Sequence, residues 1–214
     1  MSELSVVIPA LNEADNLEAL LPRLKAVVPD AEIIVVSDGS SDHTRAVCER
    51  AGVRCIAHPY RLGNGAAVKT GLRAVNGRRT VLMDADGQHR PEDIPRLLEA
   101  LDSGFDMAVG ARASSANANW LRRIGNALYN RLASWTVGRP ILDLTSGFRA
   151  VDTALARECL PLFPNGFSYP ATITMAFFRS GYTVQYVGVD MPSRGGKSHL
   201  SPWRDGIRFG LIIF

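Results

Sequence analysis

The sequence predicts an α/β fold in which a mostly parallel sheet has helices on both faces. Short apolar runs alternate with amphipathic helical stretches through the first half of the 214 residues. The runs are almost continuously apolar, as in strands that are covered on both faces. Polar side chains follow several of the runs directly, and sheets of this kind bind their ligands beyond the carboxyl ends of the strands.

Strands and helices are predicted to alternate through the first half. The predicted strands are residues 4–8, 33–36, 53–57, 80–83 and 107–110. Asn12 is a suitable cap for the first helix, residues 40–42 offer caps for the second, and Pro91 suits the first turn of the fourth. The third helix is expected at residues 64–75. Strands separated by helices of this length form parallel sheets with right-handed crossovers.

The second half of the chain has a less regular pattern. Residues 113–119 resemble a loop, 120–135 predict an amphipathic helix, and 143–150 form a turn-rich segment that enters a short strand. A helix at 171–179 and a strand at 182–189 follow. The apolar side of the amphipathic helix consists of Trp120, Leu121, Ile124, Leu128, Leu132 and Trp135. This stripe either packs on the core or, with three arginines on the same helix, lies on a membrane surface.

Composition narrows the possible functions. A net charge of +3 gives no general affinity for nucleic acid. Three cysteines without metal-like spacing favour a reducing cytoplasm over a disulfide framework. The N-terminus lacks the form of a signal peptide, and no run reaches the roughly 18 apolar residues of a membrane span. The apolar residues 209–214 suggest a membrane-proximal helix that is cut off.

Asp84 and Asp86 are the most informative residues because they close a buried strand. Residues two apart on a strand face the same side, and two like charges side by side repel unless a cation or donors lie between them. We therefore expect the pair to bind a hard divalent cation that carries phosphates. Gln88 can add a neutral oxygen ligand, whereas His89 is expected to be a surface or loop histidine.

Two further carboxylates follow predicted strands at the same edge of the sheet. Asp38 is placed to accept a hydrogen bond from a nucleobase N–H, or it belongs to a plain Asp-Gly turn. Glu13 likewise either faces the ligand or has only a local structural role, because acidic residues suit a first helical turn. Gly63 and Gly65 lack the third glycine of a dinucleotide fingerprint, so we expect them to let the chain pass close to a nucleotide.

Basic residues matter because such a ligand is a polyanion. Arg194 and Lys197 lie in a glycine-hinged segment that could close over a diphosphate and stabilise it as a leaving group. Arg112 and Arg149 could each bind a phosphate. The alternatives are a solvated loop for the first pair and salt bridges for the second.

Five segments, in this order, resemble glycosyltransferase family 2. They are residues 7–13 (VIPALNE), 36–40 (VSDGS), 84–89 (DADGQH), 145–149 (TSGFR) and 194–198 (RGGKS). Within that family the chain resembles the polyprenyl-phosphate hexosyltransferases, and the likeness covers nearly the whole sequence. One departure concerns the last segment, because the family often has lysine where this chain has His199.

The resemblance implies a GT-A fold in a single domain, 1–214. A Rossmann-like nucleotide-binding half would span 1–112, an acceptor-binding half 113–200 and a membrane-proximal helix 201–214. Asp86 and Gln88 would ligate Mg²⁺ or Mn²⁺. The donor site would comprise Pro9, Leu11, Glu13, Asp38, Asp84, Ala85, Asp86, Gln88, Arg194 and Lys197, the acceptor site Arg112, Ser146 and Arg149, and the catalytic set Asp84, Asp86, Arg112 and Arg149.

The implied reaction moves mannose or glucose from GDP-mannose or UDP-glucose to a polyprenyl or dolichyl phosphate, with inversion at the anomeric carbon. The enzyme would be peripheral, on the cytoplasmic face of a membrane. An acceptor that is already an anion needs no general base, so positioning and electrostatics supply most of the rate. The alternatives are a relative with a hydroxyl acceptor, for which Asp143 is a weak candidate base, a sugar-phosphate nucleotidyltransferase, and a non-catalytic sugar-nucleotide binder.

Overall fold

A computed structural model describes residues 3–112, 120–166 and 168–190. Within these residues seven strands form one sheet, in the order β3-β2-β1-β4-β6-β5-β7. The strands are β1 Leu4–Ala10, β2 Glu32–Ser37, β3 Arg54–Ala57, β4 Arg79–Leu82, β5 Met107–Arg112, β6 Arg149–Asp152 and β7 Val184–Val189. The helices are α1 Ala14–Val27, α2 Thr44–Arg50, α3 Asn64–Ala74, α4 Ile94–Asp102, α5 Trp120–Val137, α6 Thr153–Glu158 and α7 Tyr169–Arg179, and short 3₁₀ turns occur at Pro91–Asp93 and Leu160–Leu162.

The sheet is mostly parallel, and β6 runs antiparallel to both of its neighbours, β4 and β5. Because of this direction, β6 begins where β4 ends, with Leu82 opposite Arg149. The segment that precedes β6 therefore lies at the same edge of the sheet as the acidic residues that follow β4. The sequence predicted a short strand here, and the structure adds its direction.

Helices cover both faces of the sheet, as predicted. Val6 and Ile8 of β1 point to the core under α1, α2 and α4, whereas Val7 points to the core under α3, α6 and α7. This alternation follows from the two-residue period of a strand. A third, smaller cluster joins α5 to α7. The sheet edge that holds the polar strand ends is thus supported by packed layers on both sides.

Pro9 marks the place where β1 and β4 separate. The two strands pair as far as Val7 and Leu82, and the N–H of Met83 then donates to the carbonyl of Val7 (3.2 Å). Proline has no N–H to donate, so within a sheet it is tolerated where a ladder hydrogen bond is not needed. The strand order also reverses between β1 and β4, which is where open sheets of this class form a crevice for ligands.

The start of α1 corrects one prediction from the sequence. Asn12 does not cap this helix; it has a left-handed backbone (φ 56°), and its Oδ1 accepts from the N–H of Ser41. Asp42 accepts instead from the N–H of Ala14, and Thr44 Oγ1 accepts from the N–H of Glu13. Side chains that are distant in the sequence therefore cap the helix. The spacing of residues near the helix start could not predict these caps.

The buried face of α5 also differs from the predicted stripe. Tyr129, Leu132 and Ala133 pack against α7 and its surroundings, whereas Leu128 and Trp135 are 64% and 76% exposed. The side chains of Trp120, Leu121 and Ile124 lie outside the described residues. In the part of the chain that the structure describes, no helix is long and apolar enough to cross a bilayer.

Candidate active site

The acidic motif directly follows β4. Ala85 points into the core, and Asp84 and Asp86 on either side of it are partly exposed. Gly87 then adopts a left-handed conformation (φ 76°), which turns the chain so that the N–H of Gln88 donates to Asp86 Oδ1 (3.2 Å). The turn holds the backbone of Gln88 beside Asp86, and joint binding of a metal by these two side chains stays a prediction.

His89 lies in the loop after β4, which is one of the two predicted alternatives, but it is buried and not on the surface. Its ring stacks on Phe148, with centroids 5.0 Å apart, and its Nδ1 accepts from the N–H of Asp84 (2.9 Å). Burial lowers the pKa of His89 to about 4, because the charged ring would lose its hydration. A neutral ring with Nδ1 as acceptor fixes the backbone of Asp84 at the end of the strand.

Gly147 supports the same aspartate from the β6 side. A Cβ at this position would lie 2.5 Å from Asp84 Oδ2 and 3.1 Å from Asp84 Cγ. Only glycine leaves room for the carboxylate in this position. The short segment before β6 thus supports the motif after β4.

Ser146 and Arg149 lie inside the protein. The hydroxyl of Ser146 donates to the carbonyl of Gly110 (2.6 Å). The guanidinium of Arg149 donates to the carbonyls of Ser146 and Pro170 and to Thr174 Oγ1. Desolvation lowers the pKa of Arg149, which is fully buried. The Nε of Arg149 has no hydrogen-bond partner among the described residues. Contact of Ser146 and Arg149 with an acceptor phosphate stays a prediction.

Asp38 is buried and holds the chain that follows β3. Its carboxylate accepts from the N–H groups of Leu62 (2.8 Å) and Gly63 (2.7 Å), and His58 Nδ1 lies 2.8 Å from Oδ1. Burial opposes ionisation, yet these hydrogen bonds outweigh it and hold the pKa of Asp38 below its ordinary value. Because a carboxylate only accepts, His58 Nδ1 is the donor.

This arrangement favours the structural alternative for Asp38 over direct recognition of a base. Gly39 contributes, since its left-handed backbone (φ 72°) packs under the main chain of Tyr60 and Arg61. The aspartate therefore shapes the rim of the crevice, and hydrogen bonding to a nucleobase stays a prediction.

The glycine-rich start of α3 packs against protein. The N–H groups of Gly65 and Ala66 donate to the carbonyls of Gly166 (3.1 Å) and Asn165 (2.9 Å). These glycines admit a neighbouring loop, and close approach of this segment to a nucleotide stays a prediction. Two N–H groups of the first turn are occupied, so this helix start is unlike a phosphate-binding fingerprint.

The remaining predicted residues divide into two groups. Pro9, Leu11 and Glu13 lie at the end of β1, and Arg112 is the exposed last residue of β5. Together with the β2 and β4 ends they lie along one edge of the sheet. Arg194 and Lys197 lie outside the described residues, as does His199.

A small cavity opens beside Asp84. Its volume is about 100 Å³, and it is lined by Asn64, Asp84, Thr145, Ser168, Tyr169, Pro170 and Ala171. Apart from Asp84, these residues were not among the predicted site. The sequence held a signal for one of them, because Ser168 before Tyr169-Pro170 is a typical helix start, two residues earlier than the predicted helix.

The acidic motif suits Mg²⁺ or Mn²⁺. Among the described residues there is no group of three or more His, Cys, Asp or Glu side chains that could hold a metal by themselves. Magnesium sites at nucleotides need fewer protein ligands, since the phosphates of the substrate complete the coordination shell that one or two carboxylates begin. Asp86 and Gln88 offer such a partial set of hard oxygen ligands, so the residues fit the ion.

The fold and this acidic strand end define a glycosyltransferase of the GT-A class. The chain belongs to glycosyltransferase family 2, since the model of the family described as Glycosyl transferase family 2 matches residues 5–160. The fold class, the family and the enzyme class predicted from the sequence are thereby confirmed.

Relatives with known names share much of the chain. A polyprenol monophosphomannose synthase of Mycolicibacterium smegmatis is 30% identical over 88% of this chain and 77% of its own length. A dolichyl-phosphate hexose transferase of Haloferax volcanii is 28% identical over 99% and 92%. A dolichol-phosphate mannosyltransferase of Pyrococcus furiosus is 35% identical over 77% of this chain, which spans 50% of that protein.

Solved structures share the fold. Glucosyl-3-phosphoglycerate synthase from Mycobacterium tuberculosis in complex with UDP matches with a TM-score of 0.79 at 20% identity, over 99% of this chain and 79% of that one. The same enzyme with Mn²⁺ and UDP-glucose matches with a TM-score of 0.75 at 22% identity, over 99% and 75%. At these identities the likeness establishes the architecture alone.

Proposed function

We propose that this glycosyltransferase moves a hexose, mannose or glucose, from GDP-mannose or UDP-glucose to a polyprenyl or dolichyl phosphate with inversion. The observation that supports it most is the agreement among the three named relatives, all of which are named for a polyprenol or dolichol phosphate product or acceptor. The acidic strand end and the adjoining cavity are consistent with a sugar-nucleotide donor.

The proposed roles follow from position. Asp86 and Gln88 would hold Mg²⁺ or Mn²⁺, which supplies positive charge against the leaving diphosphate. Asp84, fixed by His89 and Gly147, faces the cavity where the sugar would lie. Arg112, exposed at the end of β5, is a cation that the acceptor phosphate could approach. Arg194 and Lys197 remain candidates for closing over the diphosphate, as proposed from the sequence.

The hydroxyl-acceptor alternative is less well supported because it needs a general base. Asp143 Oδ1 accepts from the N–H groups of Thr145 (3.0 Å) and Ser146 (3.1 Å) and from Thr145 Oγ1 (3.0 Å). This pattern is a side-chain turn that shapes the segment before β6. A phosphate acceptor needs no such base, so it agrees better with the site.

The nucleotidyltransferase alternative requires a backbone cradle for a triphosphate after β1. The N–H groups of Asn12, Glu13 and Ala14 instead donate to the side chains of Ser40, Thr44 and Asp42. These donors are occupied within the protein, which argues against that class.

Membrane attachment is part of the proposal, on the cytoplasmic face. The exposed part of α5, which we call the α5 face, comprises Leu128, Arg131 and Trp135, which lie on one side of the helix. Exposed apolar side chains beside an arginine suit an anionic bilayer surface.

Transfer of radiolabelled sugar tests the proposed function. The purified chain is incubated with labelled GDP-mannose or UDP-glucose, a polyprenyl phosphate and Mg²⁺ or Mn²⁺, with and without EDTA. We expect transfer to lipid that EDTA abolishes, and a loss of about a hundredfold or more in Asp86→Asn, because the negative charge of one ligand is removed. Glu49→Gln, an exposed carboxylate on α2, is the matched control.

Two outcomes would contradict the proposal. One is transfer that persists undiminished in EDTA. The other is the absence of lipid-linked product with every donor tested. If Asp86→Asn loses turnover and keeps nucleotide binding, the non-catalytic alternative is excluded.

A further inference from the structure

Two of the three cysteines lie in contact between α2 and β3. Cys48 belongs to the last turn of α2, and its thiol donates a hydrogen bond to the sulfur of Cys55 in β3. The sheet register supports this contact, because Cys55 is paired with Val35 of β2, which points to the core under α2. The N–H of Val53 also donates to the carbonyl of Cys48 (3.1 Å), so a short turn keeps the two sulfur atoms together.

The two thiols differ in exposure and in charge. Cys48 is fully buried, whereas Cys55 is half-buried, in the strand at the edge of the described sheet. The hydrogen bond from Cys48 and the charge of Arg45 lower the pKa of Cys55 and outweigh burial and Glu49, which oppose ionisation. The same hydrogen bond, together with burial, raises the pKa of Cys48. Because the thiolate is the reactive form of cysteine, Cys55 is the thiol that a small oxidant meets first.

Cys159 lies apart from this pair and provides a contrast. It is 4% exposed, in the core on the other face of the sheet under α3, α6 and α7. Burial raises its pKa, so it has little thiolate character and should be inert. All three cysteines of the chain belong to the described residues. The contact between Cys48 and Cys55 is therefore the one place where two thiols of this chain meet.

We propose that Cys48 and Cys55 are a site of reversible oxidation, at which hydrogen peroxide converts the two thiols to a disulfide that joins α2 to β3. Thiols that already touch need little movement to form such a bond. Disulfides in a reducing compartment are usually transient and redox-sensing, which agrees with the cysteine composition. The oxidation does not depend on the proposed sugar transfer, because neither thiol belongs to the acidic motif after β4.

The oxidation proceeds in two balanced steps. The Cys55 thiolate attacks one oxygen of the peroxide, the O–O bond breaks, and Cys55 becomes a sulfenic acid while the second oxygen leaves as water with the thiol proton. The Cys48 sulfur then attacks the sulfenic sulfur, and the sulfenic hydroxyl leaves as a second water with the Cys48 proton. The two sulfur atoms lose two electrons, which the peroxide gains. A dithiol reductant restores both thiols by exchange.

Mass spectrometry of the oxidised chain tests the site. The reduced full chain is treated with hydrogen peroxide at neutral pH, denatured in an alkylating reagent for free thiols, and mapped after proteolysis. We expect wild type to keep one of its three thiols, Cys159, and to contain a Cys48–Cys55 disulfide that dithiothreitol removes. Cys55 should react at least about tenfold faster than Cys159, since its thiolate is the more populated.

Three variants separate the roles of the cysteines. Cys48→Ala should stop at a sulfenic acid on Cys55, which dimedone labels, because no second thiol is left to condense with it. Cys55→Ala should leave Cys48 reduced at the same peroxide concentration, since that thiol is buried. Cys159→Ala is the matched control and should form the disulfide as wild type does.

Two results would overturn the proposal. One is a wild type that keeps all three thiols at a peroxide concentration that oxidises the denatured chain. The other is a map in which Cys159 is oxidised as fast as Cys55, which would show that the contact with Cys48 confers no reactivity. The wild-type map decides between these results and the expected one without any variant, so a substitution that prevents folding does not remove the test.

Discussion

At the level of single residues, the position of Asp84 is set by two neighbours that do no chemistry. His89 accepts from its backbone N–H, and Gly147 leaves space for its carboxylate. The sequence could place Asp84 and Asp86 at a strand end, because the apolar run and the paired carboxylates are local. It could not reveal that His89 is buried, since the Phe148 ring that covers it belongs to a segment about sixty residues away in the chain.

Gly147→Ala tests how far catalysis depends on the position of Asp84. The new Cβ would be 2.5 Å from a carboxylate oxygen, which can yield because it is the end of a flexible side chain. We expect the fold to survive and transfer to fall by about tenfold or more, since small misplacements at a reacting centre are costly. Labelled-sugar transfer and a thermal melt measure the two effects.

Gly188→Ala is the control for that change. This glycine of β7 has open space where a Cβ would lie, so alanine should alter neither transfer nor melting. If Gly147→Ala retains full transfer, the position of the Asp84 carboxylate does not limit the reaction.

At the level of elements, the positions of the polar strand ends were predictable from the sequence. The direction of β6 and the caps of α1, which hold the neighbouring chain in place, were not. Parallel strands with apolar runs bring β1, β2 and β4 to one edge, and this follows from local patterns. The direction of β6 does not, because the sequence of a four-residue strand contains no local signal for its direction in the sheet. The same limit applies to the caps of α1, which come from Asp42 and Thr44 about thirty residues further along.

Asp38 joins β2 to the chain after β3, and the stability that this link contributes should fall at low pH. The hydrogen bonds lower its folded pKa, so its ionised carboxylate stabilises the fold fully above about pH 4, the ordinary value for aspartate. That contribution is lost as the pH falls through the folded pKa. We expect Asp38→Asn to cost about 1–3 kcal/mol of unfolding free energy at pH 7, by urea denaturation, with a gap to wild type that narrows below about pH 4.

A second carboxylate provides the comparison. Glu99 is exposed on α4, where glutamine forms helix equally well, so Glu99→Gln should leave stability unchanged at every pH. A gap between Asp38→Asn and wild type that stays constant down to pH 3 would show that the ionised carboxylate is not the source of the stability.

At the level of the whole molecule, two packed layers support a sheet edge where donor and acceptor would meet. The layers follow from the two-residue and 3.6-residue periods of the strands and helices, which is why the fold class was predictable. The periodicity of α5 was misleading, because among its described side chains the buried face is formed by Tyr129, Leu132 and Ala133, away from the centre of the predicted stripe. Leu128 and Trp135 remain exposed as a result.

The α5 face gives the last prediction, which concerns attachment to a membrane. Trp135→Ser should reduce co-sedimentation with vesicles containing anionic lipid by about tenfold, because burial of a large apolar side chain contributes about 1.5–3 kcal/mol. Added salt should weaken the remaining binding, since Arg131 acts through a screened charge. Leu162→Ser, at an exposed apolar residue of the 3₁₀ turn Leu160–Leu162, is the control. Calorimetric binding of the soluble donor should be unchanged in both variants. If Trp135→Ser binds vesicles as well as wild type does, the α5 face is not the membrane contact, and the acceptor lipid must reach the sheet edge by another surface.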